Sequence, residues 1–152
     1  MQINLRKYRK ADLKRHLALL AMNKITGNNK REKLWLDKAI RNYSRQKPDF
    51  HVLVIILKNK LIGNLVAEKI NLRNKSLEIG FWIGKQYWNK GYATEALSLF
   101  LKRIEKKFKP EKVYASHKKG NLASGRVLEK AGFKACGYHG HVCRFEKAGK
   151  KE

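Results

Sequence analysis

Acid is what this sequence has least of. It holds 12 Asp and Glu against 36 Lys and Arg, a formal net charge of +24 over 152 residues. The imbalance is not a tail effect. Basic side chains outnumber acidic ones 14 to 3 over residues 1–47, 12 to 5 over 48–110 and 10 to 4 over 111–152. The whole surface is therefore expected to be positive, a field that draws polyanions: nucleic acid, ribosomes or the phosphates of a cofactor. A lysine-rich proteome would give the same composition, and charge spread this evenly leaves both readings open. Long apolar runs are absent too. No stretch approaches the ~18 residues of a membrane-spanning helix, so no membrane partner is expected. The two cysteines, Cys136 and Cys143, are too few for a disulfide framework. Met1–Lys7 has no apolar stretch ending in small residues, so no secretory signal is read there and a reduced, cytoplasmic setting is expected. The two prolines, Pro48 and Pro110, fall between periodic segments and interrupt none.

What is present is alternating α and β periodicity with 43% hydrophobic residues, enough for a core in one domain spanning 1–152. Gln2–Tyr8 reads as a strand. From Ala11 helical spacing places Leu13, Leu17, Leu20 and Ala21 on one face. Lys24–Asn29 reads as a loop, and Asn28-Asn29 offers an N-cap to a helix carrying Leu34, Trp35, Ala39, Ile40 and Tyr43. His51–Leu57, Leu61–Ile70 and Leu77–Ile83, separated by polar turns, read as a three-stranded antiparallel meander. After Gly91 the apolar residues fall at Ala93, Ala96, Leu97, Phe100, Leu101, Ile104 and Phe108, a core-facing helix of about four turns. Lys112–His117 reads as a strand. Asn121 caps a helix with Leu122, Ala123, Val127, Leu128 and Ala131 inward and Gly132 after its end. Phe133–Tyr138 and Val142–Lys147 close with a hairpin. The order β-α-α-β-β-β-α-β-α-β-β predicts a mixed α/β sheet.

The densest segment runs from Leu77 to Ala96. A strand ends, a short loop turns at Gly91, and an amphipathic helix begins. A helix start offers unpaired N–H groups and partial positive charge. A glycine there, followed by the small Ala93, lets a phosphate approach the backbone. Lys90 adds a full charge. These features predict a diphosphate site, although many α/β proteins keep a glycine at such a junction for packing alone.

The full string Tyr87-Trp88-Asn89-Lys90-Gly91-Tyr92-Ala93-Thr94-Glu95-Ala96 resembles the acetyl-CoA motif of the GNAT acetyltransferases, in its RimJ/RimL form. About thirty residues on, Asn121-Leu122-Ala123-Ser124-Gly125-Arg126-Val127-Leu128-Glu129-Lys130-Ala131-Gly132-Phe133 resembles that group's second signature. The likeness is strongest over Leu77–Gly137. It implies a GNAT-type α/β fold: a mixed, mostly antiparallel sheet with helices on both faces and splayed central strands. It implies backbone contacts from Lys90, Gly91, Tyr92, Ala93 and Thr94 to the acetyl-CoA pyrophosphate, and a pantetheine arm lying in the gap between the Ile79–Ile83 and Lys112–His117 strands. Asn121 matches a side-chain contact to that arm, besides its reading as an N-cap. Ser124 matches a residue facing the thiol sulfur. Where many relatives carry Gln or Arg, this chain has Trp88, as the RimJ/RimL group often does. Where many carry a tyrosine general acid, it has Leu128. Ser124, Tyr138 or water remains as proton donor to the leaving thiolate.

Acetyl transfer to an amine needs a neutral amine, a stabilised oxyanion and a proton path. Backbone N–H groups around Phe81, Trp82 and Ile83 are the expected oxyanion donors. Glu78, on the strand lining the gap, is the first candidate base, against a reading as a lysine-paired strand-end carboxylate; Glu68 is the next. Glu95, in a first helical turn, reads as structural. Cys136, His139, His141 and Cys143 crowd the last hairpin, but their spacing fits no familiar zinc site and strand neighbours face opposite ways, so no metal is expected. Trp35, Trp82 and Trp88 read as core or pocket wall. The expected activity is acetyl transfer to a primary amine, a protein N-terminus on a ribosomal or other RNA-associated protein, by direct attack in a ternary complex. The alternatives are a small-molecule amine acceptor, whose polyamine and aminoglycoside forms a +24 surface repels, and a non-catalytic basic module binding RNA or ribosomes.

Overall fold

The computed structural model describes residues 3–25 and 28–150. Gln2 of the first expected strand, and residues 26 and 27 of the expected loop, lie outside them. In chain order the elements are β1 (Ile3–Arg6), α1 (Asp12–Met22), α2 (Asn29–Asn42), β2 (Phe50–Leu57), β3 (Lys60–Asn71) and β4 (Ser76–Ile83). A 3-10 turn (Lys85–Tyr87), α3 (Tyr92–Phe108), β5 (Lys112–Lys118), α4 (Leu122–Lys130), β6 (Lys134–His139) and β7 (Val142–Ala148) follow. The strands form one seven-stranded sheet in the order β1-β2-β3-β4-β5-β7-β6. Only β4 and β5 run parallel among neighbours, as the α3 crossover between them requires.

Helices cover both faces of the sheet. Alternation along the strands sends Leu53, Ile55, Leu65, Leu77, Ile79, Val113 and Phe145 to one side, where they pack on Leu97, Phe100 and Ile104 of α3 and Leu128 of α4. Phe50, Val52 and Val54 face the other way, onto Leu19 of α1 and on Leu36 and Ala39 of α2. Phe100 is wholly buried at the centre of the expected α3 stripe.

The inward face of α1 differs from its apolar pattern. Asp12, His16 and Leu19 are the buried residues, while Leu13, Leu17 and Leu20 are only partly covered and Ala21 is exposed. Hydrogen bonding decides the rotation, because each buried polar group is partnered. Asp12 takes a bidentate Arg6 at 2.7 and 2.9 Å and the Arg9 N–H. His16 lies between the Tyr8 hydroxyl (3.0 Å) and Glu32 Oε2 (3.1 Å) and stacks on Trp35. Burial raises the Tyr8 phenol, so it stays neutral in this chain of contacts. Burial alone would raise the Asp12 carboxyl too; Arg6 and the Arg9 amide outweigh it and hold it low. In α2, Leu34 points to solvent and Leu36 takes the inward place.

The central strands part. β4 and β5 pair only from Ser76↔Lys112 to Ile79↔Ala115. From Gly80 on, β4 keeps β3 as partner, while β5 continues along β7 through Lys118. The two diverge like a fork, and β4 past the fork has an unpaired edge.

Candidate active site

A cavity of about 380 Å³ opens at this fork. Its walls are Phe81, Trp82 and Ile83 of β4, Tyr87, Trp88 and Asn89 of the loop, Gly91 through Thr94 at the start of α3, and Asn121, Ala123, Ser124, Arg126, Val127 and Lys130 along α4. Nine of the residues that meet here were expected as site residues, most of them from the motif resemblance: Phe81, Trp82, Ile83, Gly91, Tyr92, Ala93, Thr94, Asn121 and Ser124.

The turn into α3 is built by backbone sign. Asn89 sits at φ 59° and Gly91 at φ 79°. Alternating left- and right-handed residues turn consecutive N–H groups into one concavity, and at Gly91 glycine removes the Cβ that opposes that conformation. The loop is tied at both ends. Trp88 Nε1 donates to Ile83 O at 2.9 Å, and Lys85 N donates to Asn23 Oδ1 at 2.6 Å. α2 and α4 start under asparagine caps, Asn28 and Asn121, but the Gly91 start of α3 has no side-chain cap. Its first residues, Gly91 through Thr94, line the cavity. The donor set therefore fits a diphosphate: N–H groups and a helix dipole with no protein carboxylate in competition. Glu95, one residue further on, has Oε2 buried without a partner among the described residues.

Other sequence candidates lie elsewhere. Lys90 is exposed, does not line the cavity, and turns its ammonium back to Gln86 O at 3.2 Å. Tyr138 is 66% exposed, under the Lys119 ammonium and off the cavity wall. Leu128 is in the core. Asn121 caps α4 by accepting from Ser124 N at 3.2 Å. Leu122, expected inward, is 66% exposed. The helix instead buries Gly125, where a Cβ would meet His117 Nε2 at 2.9 Å, and that close contact sets its roll. Cys143 is buried while Cys136 is exposed.

Glu78 faces away from α3 and α4. It lines a separate groove of about 460 Å³ with Lys69, Tyr114, Ser116, His139, Val142 and Arg144. Its register partners are Tyr114 on β5 and Glu68 on β3, one step below the fork. Lys69 Nζ reaches Glu78 Oε2 at 2.7 Å, and this contact raises the Lys69 ammonium. The Arg144 guanidinium lies 4.6 Å over the Tyr114 ring.

Sequence reading missed Tyr87, Asn89, Ala123, Arg126, Val127 and Lys130 as wall residues. The signal was there for the last four: positions 123, 126, 127 and 130 fall at i, i+3, i+4 and i+7, on one face of the helix.

Residues 2–134 match the model of the acetyltransferase (GNAT) domain. The chain belongs to the GNAT family. A Bacillus subtilis protein, the uncharacterized N-acetyltransferase YnaD, is 33% identical over 86 residues, 55% of this chain and 50% of its own. Matches to curated relatives are partial: the chain spans half of YnaD and 35% of the Bacillus licheniformis N-acetyltransferase p20. In fold it is similar to the Salmonella typhimurium acetyltransferase that modifies the N-terminal serine of ribosomal protein L7/L12 (TM-score 0.85, 17% identity, 97% of this chain and 95% of that one). The Vibrio cholerae spermidine N-acetyltransferase with CoA and spermine is a second neighbour (TM-score 0.77, 19% identity, 97% and 96% covered). The mixed, forked GNAT sheet with helices on both faces is thus the observed fold, in agreement with the motif resemblance.

Proposed function

We propose that this GNAT domain transfers an acetyl group from acetyl-CoA to a primary amine, the N-terminus of a ribosomal or other RNA-associated protein, by direct attack within a ternary complex. The observation that carries the reading is the uncapped α3 start at Gly91 opening onto a cavity along the unpaired edge of β4. Gly91, Tyr92, Ala93 and Thr94 hold the pyrophosphate through backbone N–H groups, with Lys90 adding field from outside the wall. The pantetheine arm lies along β4 past the fork, and Asn121 steadies it. When bound, the thioester supplies an activated acyl carbon. Of the backbone N–H groups at Phe81, Trp82 and Ile83, those turned to the open edge of β4 stabilise its oxygen.

The acceptor comes from the opposite face, where the Glu78 groove abuts the fork. Glu78 is the base for the incoming ammonium, on condition that it exchanges the Lys69 partner for the substrate's proton. Ser124, on the cavity wall, serves as donor to the thiolate; Leu128 has no proton to give and Tyr138 lies off the wall. The +24 surface favours an acceptor attached to a polyanion and opposes polycationic amines. An acceptor screen with acetyl-CoA tests this: ribosomal proteins and peptide N-termini beside polyamines and aminoglycosides. Turnover only on the small polyamines would overturn the protein-acceptor reading, and no acetyl-CoA binding would overturn the whole.

A further inference from the structure

Lys69 reaches Glu78 from a break in β3. The two strands pair regularly up to Glu68↔Glu78, and pairing resumes only at Asn71↔Ser76. Strict alternation would send Lys69 to the face opposite Glu68 and Glu78. Within the break Lys69 takes φ 50°, and the irregularity re-aims its side chain so that Nζ meets Glu78 Oε2 at 2.7 Å. On the other side of Glu78 stands Arg144. Its β7 position pairs with Ser116, diagonal to Tyr114, and its guanidinium lies 4.6 Å over the Tyr114 ring. That side chain is exposed, and no carboxylate reaches it among the described residues. Glu68 and Glu146 share this face by register but stay off the groove wall, and Glu146 is taken by Lys112 at 3.9 Å. The groove thus sets two cations, Lys69 and Arg144, around the single carboxylate of Glu78. Neighbouring strands lie about 4.8 Å apart, so a guanidinium over the Tyr114 ring stands roughly 5–10 Å from Glu78.

We propose that this groove selects the N-terminus of an acidic segment, with the acceptor ammonium on Glu78 and a carboxylate of its second or third residue on Arg144. The inference rests on the protein N-terminus reading above and narrows it. When the ammonium takes Glu78, Lys69 loses its partner. Two cations then stand unmatched unless the acceptor brings an anion. A carboxylate one or two residues on, at about 3.3–3.6 Å per extended residue, reaches that place. Arg144 offers it a planar fork, and the released Lys69 a point charge. A polyamine would instead leave three like charges together. Steady-state acetylation by the whole chain tests this, with peptides identical except for Asp-Glu, Asn-Gln or Lys-Lys at positions two and three. Wild-type kcat/KM is expected to be about tenfold or more higher on the Asp-Glu peptide than on Asn-Gln, chiefly through KM, and lowest on Lys-Lys. Arg144→Gln is expected to bring the Asp-Glu and Asn-Gln values within about twofold of each other. Arg144→Glu is expected to invert the order in favour of Lys-Lys, a gain that misfolding cannot produce. Equal wild-type turnover of Asp-Glu and Asn-Gln overturns the anion subsite alone, as does a preference that survives Arg144→Gln or an equal loss on all three peptides. Acetyl-CoA binding without turnover of any peptide overturns the N-terminal acceptor itself, and the subsite with it.

Discussion

Gly91 is the position at which one substitution does most to test the site. Its φ of 79° costs a side-chain-bearing residue about 1–2 kcal/mol. Gly91→Ala and Gly91→Glu share that strain, so both should melt lower, by roughly 2–4 °C per kcal/mol in a domain of this size. Only the glutamate adds charge. At about 5 Å and an effective dielectric of about 20, one carboxylate against one phosphate charge is unfavourable by about 3 kcal/mol before solvent screening. The introduced carboxylate can also accept from the α3 amides itself, filling the uncapped helix start. Gly91→Glu should therefore bind acetyl-CoA at least tenfold more weakly than wild type, a loss of about 1.4 kcal/mol or more, and Gly91→Ala should fall between them. Calorimetric titration read beside circular dichroism and melting gives both quantities. A folded Gly91→Glu protein with wild-type affinity would refute the placement of the diphosphate at this turn.

Glu78→Gln keeps shape but not basicity. kcat should fall by roughly 10²-fold with acetyl-CoA affinity unchanged, and partly recover at high pH where the amine arrives neutral; wild-type kcat at neutral pH would pass the role to Glu68 or water. His51 is buried against Phe100 and Phe108. Burial, reinforced by Lys107, Lys7 and Arg103, holds its imidazole down to about 4. The unfolded chain takes that proton near pH 6.5 while the fold refuses it. Stability should thus be full above about 6.5 and decline by up to about 3 kcal/mol as pH falls to 4. Denaturant titrations of wild type and His51→Phe should differ in slope across that window, and parallel curves would discard the assignment. The +24 surface should retain RNA or ribosomes from lysate at low salt and release them at high salt; no retention at low salt would leave the charge as composition alone.

The order of elements along the chain and the α3 stripe were legible because the two periodicities, 2 and 3.6, do not overlap, and polar turns separate the strands cleanly. The fork was not legible from alternation. It came with the motif resemblance, because a strand looks the same whether its edge is paired or not. Apolar counting misjudged α1 and Leu122 for one reason: local contacts outranked hydrophobicity. Three partnered polar residues, Asp12, His16 and Asn23, hold α1 at its rotation, and the Gly125–His117 contact sets that of α4. The Glu78 groove was invisible because the candidate's face depends on strand parity relative to α3; the expected lysine pairing is present, through Lys69 nine residues away. Gly63 gave no signal at all. A Cβ there would run into the Trp82 carbonyl oxygen, so this glycine on β3 permits the close approach of the β4 segment that walls the cavity.

The two ties on the loop before α3 bear on where binding energy goes. Asn23 holds one end from α1, and Trp88 holds the other to Ile83 O. A phosphate-binding loop left free must be ordered by its ligand, and each immobilised side chain subtracts about 0.5–1.5 kcal/mol from affinity. Here that ordering is completed during folding, by contacts reaching back more than sixty residues in sequence. Ligand association should accordingly be fast and close to rigid. A fault at Asn23, outside the cavity wall, should register as weaker binding, with the amides of the anion site unchanged in number and loosened in position.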